Sequence, residues 1–152
     1  MNVYRISKCE YISDLQGTGA ALYPGRWHSK GTYILYTAAT PSLAMLESVV
    51  HISNIAIASF CMTCLSIPED KIKTITVEEL PGNWFENPPP DILKKTGDSF
   101  IKENKFLALK IPSAIMPEEN NFLLNPGHND FKKVSVIYTP NIPIDERLLK
   151  IK

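Results

Sequence analysis

Thr32-Tyr33-Ile34-Leu35-Tyr36-Thr37, followed two residues later by Thr40-Pro41-Ser42-Leu43, decides the fold class of this chain. The first run is β-branched and aromatic, which predicts a strand. The second opens a helix. Thr40 is a capping residue, and Pro41 suits the first helical position, where no backbone donor is needed. Leu43, Ala44, Leu46, Val49 and Val50 then recur at the spacing of a packed helix face.

The segments on either side of this strand–helix pair set the architecture. Upstream, Val3–Ile6 reads as a short strand carrying Arg5, and Asp14–Gly31 reads as a polar loop containing Gly17, Gly19, Gly25 and Gly31. Downstream, Ile55–Ile67 reads as a long strand and Ile72–Val77 as another, after a turn at Pro68-Glu69-Asp70. Pro81–Pro90 holds Trp84 and three consecutive prolines, so it must be a loop. Asp91–Glu103 is expected to be helical, with Gly97 weakening its middle. Phe106–Ile111, Asn121–Leu124 and Val134–Tyr138 read as strands, and Pro143–Leu149 as a terminal helical turn. Several strands follow one another without a helix between them. That order favours antiparallel pairs and argues against a doubly wound sheet. The expectation is a single α+β domain over residues 1–152, with a mixed, largely antiparallel sheet and a few helices.

Composition narrows the function classes. The chain has 152 residues, 44% of them hydrophobic, enough for one domain with a real core. Sixteen Lys and Arg balance sixteen Asp and Glu. Direct contact with nucleic acid is not expected from a neutral chain, because phosphate neutralisation needs a basic excess. No apolar run reaches the ~18 residues of a membrane span. Met1-Asn2-Val3-Tyr4-Arg5 lacks the apolar core of a signal peptide, so a cytoplasmic protein is expected. Three cysteines, Cys9, Cys61 and Cys64, argue against a disulfide framework in such a chain. Cys61 and Cys64 fall on one strand and point to opposite faces, so they are not expected to share a metal; buried small hydrophobes are the expectation.

Three residue types in the N-terminal third suit an anionic, sugar-bearing ligand. Glu47 lies on a mostly apolar helix face, with Leu43 and Ala44 behind it and Val50 and His51 ahead. A carboxylate there needs a partner or a ligand, because desolvating a charge costs several kcal/mol. Arg26, between Gly25 and Gly31, presents a flat fork of donors matched to phosphate or carboxylate. Tyr36 shares a strand face with Ile34. Ser113 follows a strand end, where functional groups commonly sit, but no G-x-S-x-G surrounds it. Each of these also has a plain structural reading: a solvated Glu, a surface Arg, a core Tyr, a turn Ser. His28, His51 and His128 are too scattered to imply a metal site.

Taken as an ordered set, these residues resemble the RES-domain toxins, partners of Xre-type antitoxins in bacterial toxin–antitoxin pairs. The usual pattern is a G-G-R-W-N-like loop, a strand ending in L-Y-T/S, and an A-x-x-E helix. Here these read Pro24-Gly25-Arg26-Trp27-His28, Leu35-Tyr36-Thr37 and Ala44-Met45-Leu46-Glu47. Tyr4-Arg5, Pro112-Ser113 and Asn121-Phe122-Leu123-Leu124-Asn125-Pro126 also fit, so the likeness runs over nearly the whole chain. Pro24 stands where Gly is common, and His28 where Asn is common. The resemblance implies a fold similar to that of ADP-ribosyltransferase toxins, and a protein that consumes NAD by hydrolysis, by phosphorolysis, or by moving ADP-ribose onto a protein. It maps the family's Arg, Glu and Ser onto Arg26, Glu47 and Ser113. In that reading Glu47 stabilises positive charge on the ribose, Tyr36 stacks on nicotinamide, and Arg26 holds the diphosphate or orients the ribose. Ser113 and Arg5 lend supporting contacts. NAD is a substrate, no cofactor or metal is called for, and an antitoxin blocks the pocket, with an oligomeric complex as its setting. Two readings of other classes stand beside it, a ribonuclease-like toxin and a non-catalytic binding module. The Pro81–Pro90 loop, with exposed-looking Trp84 and Phe85, covers the site, meets a partner or is a rigid surface excursion.

Overall fold

The computed structural model describes residues 1–52 and 59–149. Among the described residues eight strands form one sheet: β1 (Asn2–Lys8), β2 (Leu35–Ala38), β3 (Phe60–Ser66), β4 (Ile72–Thr74), β5 (Ala108–Pro112), β6 (Asn120–Leu124), β7 (Ser135–Tyr138) and β8 (Asn141–Ile142). Three helices accompany them: α1 (Thr18–Leu22), α2 (Pro41–Val49) and α3 (Asp91–Glu103). The strand order is β4-β5-β6-β2-β1-β3-β7, with β8 also paired to β3. Only the β4–β5 pair is parallel; the others are antiparallel. The sheet is mixed and largely antiparallel, as the run of consecutive strands required.

Period-two alternation divides the core between the two faces of the sheet. Ile34, Leu109, Ile111 and Leu123 pack with Trp27, Trp84, Leu93 and Phe100 on the face covered by α3. Leu35, Ala108, Phe122 and Leu124 belong to the opposite face, with Val3 and Leu65. Along β6 the side chains of Phe122, Leu123 and Leu124 thus go to alternate clusters. Leu43 and Ala44 seat α2 on Ala38 of β2.

Several expectations change. The Asp14–Gly31 loop contains the short helix α1. The strand expected over Thr32–Thr37 begins later, at Leu35, and the one expected over Ile72–Val77 ends at Thr74 and passes into a 3-10 turn at Val77–Glu79. Most of the first half of the strand read at Ile55–Ile67 lies outside the described residues. Gly97 is not a weak point of α3. A Cβ there would lie 1.7 Å from the Trp27 carbonyl oxygen, so the glycine lets the helix backbone press against the Trp27 backbone. One residue further on, Asp98 accepts from the Ser29 N–H (2.9 Å), the Ser29 hydroxyl (2.6 Å) and the Thr32 hydroxyl (2.8 Å). α3 therefore clamps the loop that carries Arg26.

The cysteines depart furthest from expectation. Cys9 and Cys61 form a disulfide, with their Cα atoms 4.8 Å apart, while Cys64 is free and buried. The cause is strand register. Ser7 pairs with Cys61 across β1 and β3, and the Cys9 N–H donates to the Ser59 carbonyl at 2.8 Å. The chain thus turns with Cys9 beside Cys61, a contact across 52 residues that spacing alone does not reveal.

Candidate active site

Glu47 is the best-supported polar side chain of the site. Its helix starts as expected, with the Thr40 hydroxyl accepting from the Leu43 N–H at 3.1 Å and Pro41 in the first turn. Half-buried on α2, the carboxylate turns one oxygen to two donors. Oε1 accepts from the Ser113 hydroxyl at 2.7 Å and from the Asn121 side-chain amide at 2.6 Å. The geometry of Ser113 is unambiguous. Its oxygen already accepts from the N–H groups of Ile115 and Met116, both at 3.1 Å, so its proton goes to Glu47. Ser113 is fully buried, 0% exposed, and sits behind Glu47 and outside the cavity wall. Asn121, at the start of β6, is a member of the site that sequence reading did not single out; its Oδ1 is buried with no hydrogen-bond partner among the described residues. Oε2 of Glu47 takes no donor among the described residues, which leaves it to a ligand.

Arg26 and Tyr36 form a second corner with a different construction. The Pro24–Gly31 loop closes on itself through an isolated bridge between Gly25 and His28. Arg26 Nη1 donates to the carbonyls of Trp84 and Glu86, both at 2.8 Å. The Pro81–Pro90 loop is thereby drawn over the site and is no surface excursion: Phe85, Asn87 and Pro89 line the cavity. Trp84, expected on the surface, is 4% exposed and packs in the core, whereas Phe85 is 55% exposed. Alternate residues of a short anchored loop face opposite ways, so one aromatic holds the loop and the next projects from it.

The Tyr36 hydroxyl accepts from the Trp27 N–H at 3.3 Å and lies 2.7 Å from His28 Nδ1. Burial pushes its pKa well above the ordinary value, so the phenol stays protonated. Burial also lowers the Arg26 guanidinium from its usual range, with Glu47 and Tyr36 working against that shift; it remains a cation. Arg5, on β1, donates to the Ile12 carbonyl at 3.1 Å. Its guanidinium is lowered by burial and partly restored by Asp14.

Arg5, Arg26, Tyr36 and Glu47 line one cavity of about 900 Å³, which also takes in Asn121, His28 and Lys94. That volume lies within the range of small-molecule and cofactor sites, ~300–1,000 Å³. Four of the five expected site residues therefore meet in one space, and the fifth, Ser113, meets it through Glu47. A second cavity, of about 270 Å³, lies between α3 and β4 and contains none of them.

The sheet thus gathers an Arg, a Tyr and a Glu from loop, strand and helix into one cavity. The RES domain profile matches residues 2–146, and the chain belongs to this family. It is similar to a protein named Toxin Res from Photorhabdus laumondii, 36% identical over 155 residues that span 100% of this chain and 99% of the relative. It is also similar to one named Prs ADP-ribosylating toxin from a Sphingobium species, 30% identical over 141 residues covering 90% of this chain and 88% of the relative. Among solved structures it is similar in fold to one described as the M. tuberculosis MbcT-MbcA toxin-antitoxin complex. The TM-score is 0.78 at 13% identity, covering 93% of this chain and 83% of the other.

Proposed function

We propose that this chain is a toxin that breaks the bond between nicotinamide and ribose in NAD. The observation that carries the proposal is Glu47: a carboxylate with one oxygen anchored by two donors and the other without a donor among the described residues, in a cavity of about 900 Å³ that Arg5, Arg26 and Tyr36 also line. In the reaction the C–N bond to nicotinamide breaks and its electron pair leaves with the ring nitrogen. Positive charge builds on the ribose, as it does in glycoside cleavage. Glu47 Oε2 accepts a ribose hydroxyl hydrogen bond and stabilises that charge, and because its orientation is set beforehand it reorganises little. Among the described residues Arg26 hydrogen-bonds through Nη1, to the loop carbonyls, so the rest of its fork is assigned to the diphosphate. The Tyr36 hydroxyl is held within the protein, so its ring face, rather than its oxygen, is assigned to nicotinamide. Arg5 adds a second positive charge for the diphosphate, and Ser113 acts by holding Glu47. No other acidic side chain lines this cavity among the described residues. The acceptor that attacks the ribose is water, inorganic phosphate or a protein side chain.

Toxin names among the relatives and the toxin–antitoxin neighbour support the biological role, and the Prs ADP-ribosylating relative keeps transfer to a protein as a second reading. An Xre-type antitoxin is the proposed partner. The deciding experiment incubates the purified protein with NAD, with and without phosphate and then with cell extract. Release of free nicotinamide is expected. Degradation of RNA without nicotinamide release would favour the ribonuclease reading; neither activity would favour a binding module.

A further inference from the structure

His28 is 3% exposed, and both of its ring nitrogens are engaged. Nε2 lies 2.8 Å from the Ala20 carbonyl and 2.8 Å from the Tyr23 carbonyl. Two carbonyl oxygens accept and never donate, so the proton sits on Nε2. In the neutral imidazole Nδ1 is then an acceptor, and the group that faces it at 2.7 Å is the Tyr36 hydroxyl, which burial keeps protonated. The Tyr36 O–H therefore donates to His28, while its oxygen accepts from the Trp27 N–H at 3.3 Å. Both polar directions of the phenol are fixed. The imidazole and phenol rings meet edge to face, centroids 5.4 Å apart. Gly25 is part of the same device: a Cβ there would lie 2.7 Å from His28 Cε1 and 3.2 Å from the Tyr36 oxygen. A side chain at residue 25 would therefore press on both members of the His28–Tyr36 pair.

We propose that His28 is the positioning residue of Tyr36: its Nδ1 is the acceptor that fixes where the hydroxyl end of the tyrosine ring sits in the cavity, and the Ala20 and Tyr23 carbonyls select the tautomer that presents that acceptor. The inference rests on the assignment of that ring to the nicotinamide end of NAD. A ring that acts as a platform is useful only at one tilt, because small misplacements of a reacting group are costly. Trp27 alone cannot set that tilt, since its long N–H bond constrains the phenol oxygen from one side only.

The test separates the two arms of the imidazole. Asn is near-isosteric with the Nδ1 side and Gln with the Nε2 side. His28→Asn keeps an acceptor for Tyr36 and gives up the carbonyl tether; His28→Gln keeps the tether and gives up the acceptor. Four proteins are compared, H28N, H28Q, Y36F and the double variant H28Q/Y36F, by nicotinamide release and by growth arrest on expression, with melting curves to establish folding. We expect H28N to stay within about threefold of wild type. H28Q and Y36F should each lose about tenfold in kcat/KM, the size of one buried hydrogen bond, and the double variant no more than Y36F alone. A folded H28Q with wild-type activity overturns the proposal, and so does a folded H28N weaker than H28Q. If H28Q does not fold, wild-type activity of Y36F overturns it. Growth arrest that follows the expected ranking, from a protein releasing no nicotinamide, would overturn the NAD reading and leave His28 as the residue that positions Tyr36.

Discussion

The two corners of the cavity are held by different means. Glu47 is fixed by side chains, Ser113 after β5 and Asn121 on β6, which both donate to one oxygen. Arg26 and Tyr36 are fixed largely by backbone: two carbonyls of the 84–86 loop for Arg26, and one amide together with a carbonyl-tethered histidine for Tyr36. Side-chain support ties function to residue identity, so replacing one donor should act on one group. Backbone support ties function to loop path, so anything that shifts the loop should act on Arg26 and Tyr36 together and spare Glu47.

The largest expected effect is at the first corner. Glu47→Gln keeps an amide oxygen to accept from Ser113 and Asn121 but loses the charge, so the fold should survive. Nicotinamide release should fall ~10³-fold, the scale of a lost electrostatic stabiliser, and growth arrest should vanish. A folded, fully toxic variant would remove Glu47 from the mechanism.

At the second corner, Gly97→Ala forces a methyl group onto the Trp27 carbonyl, 1.7 Å away. Overpacking of this kind costs ~1–3 kcal/mol, to be read as a lower Tm or denaturant midpoint. The comparison predicts more than a stability loss. At temperatures where the protein remains folded, KM for NAD should rise, because Trp27 adjoins Arg26 and donates to Tyr36. An unchanged KM would mean that the path of the Trp27 loop does not govern Arg26 and Tyr36.

Arg26→Ala should weaken NAD binding or turnover by about tenfold or more, ~1.4 kcal/mol, the low end for a charged hydrogen bond. It should also expose the 84–86 loop to proteases, since two of its carbonyls lose their donor. Protease resistance equal to wild type would show that Trp84, buried in the core, holds the loop without help.

The smallest effect concerns Asp98. Its partial burial works to raise the carboxyl, but the hydrogen bonds from Ser29 and Thr32 outweigh it and hold the pKa below the ordinary range. A carboxyl depressed in the folded state favours folding at all pH values above its unfolded pKa, ~3.9, and that contribution is lost as pH falls through the lower folded value. Asp98→Asn should therefore reduce stability slightly near neutral pH and leave it unchanged at strongly acid pH. A wild-type and variant difference that grew toward acid pH would contradict this sign.

The same contrast explains which parts were legible in the sequence. The start of the Glu47 helix was readable to the residue, because Thr40, Pro41 and the apolar spacing are local signals that the structure uses locally. α3 was readable over its whole length for the same reason. The contents of the Asp14–Gly31 segment were less so: α1 has five residues and no side-chain cap, too little to leave a periodic signature. His28 was visible only as a departure from the usual Asn, because its contacts run to two carbonyls, and carbonyls carry no residue identity. Asn121 stood in view as part of an ordered motif, yet its role required knowing that β6 lies beside β2 and β5. Trp84 looked exposed because a proline-rich loop usually is; the core cluster beneath α3 claimed it instead.

By itself the sequence determined most of the elements and their order, the largely antiparallel character of the sheet, and a family membership carried by an ordered set of short motifs. Those follow from local propensity and from residue identity, which a chain displays whether folded or not. Only the tertiary structure decided that Ser113 serves Glu47 from behind, that Arg26 binds a loop sixty residues away as well as facing the cavity, and that Cys9 meets Cys61. These contacts depend on strand register and on backbone carbonyls, and neither is written in the side chains that a sequence reports.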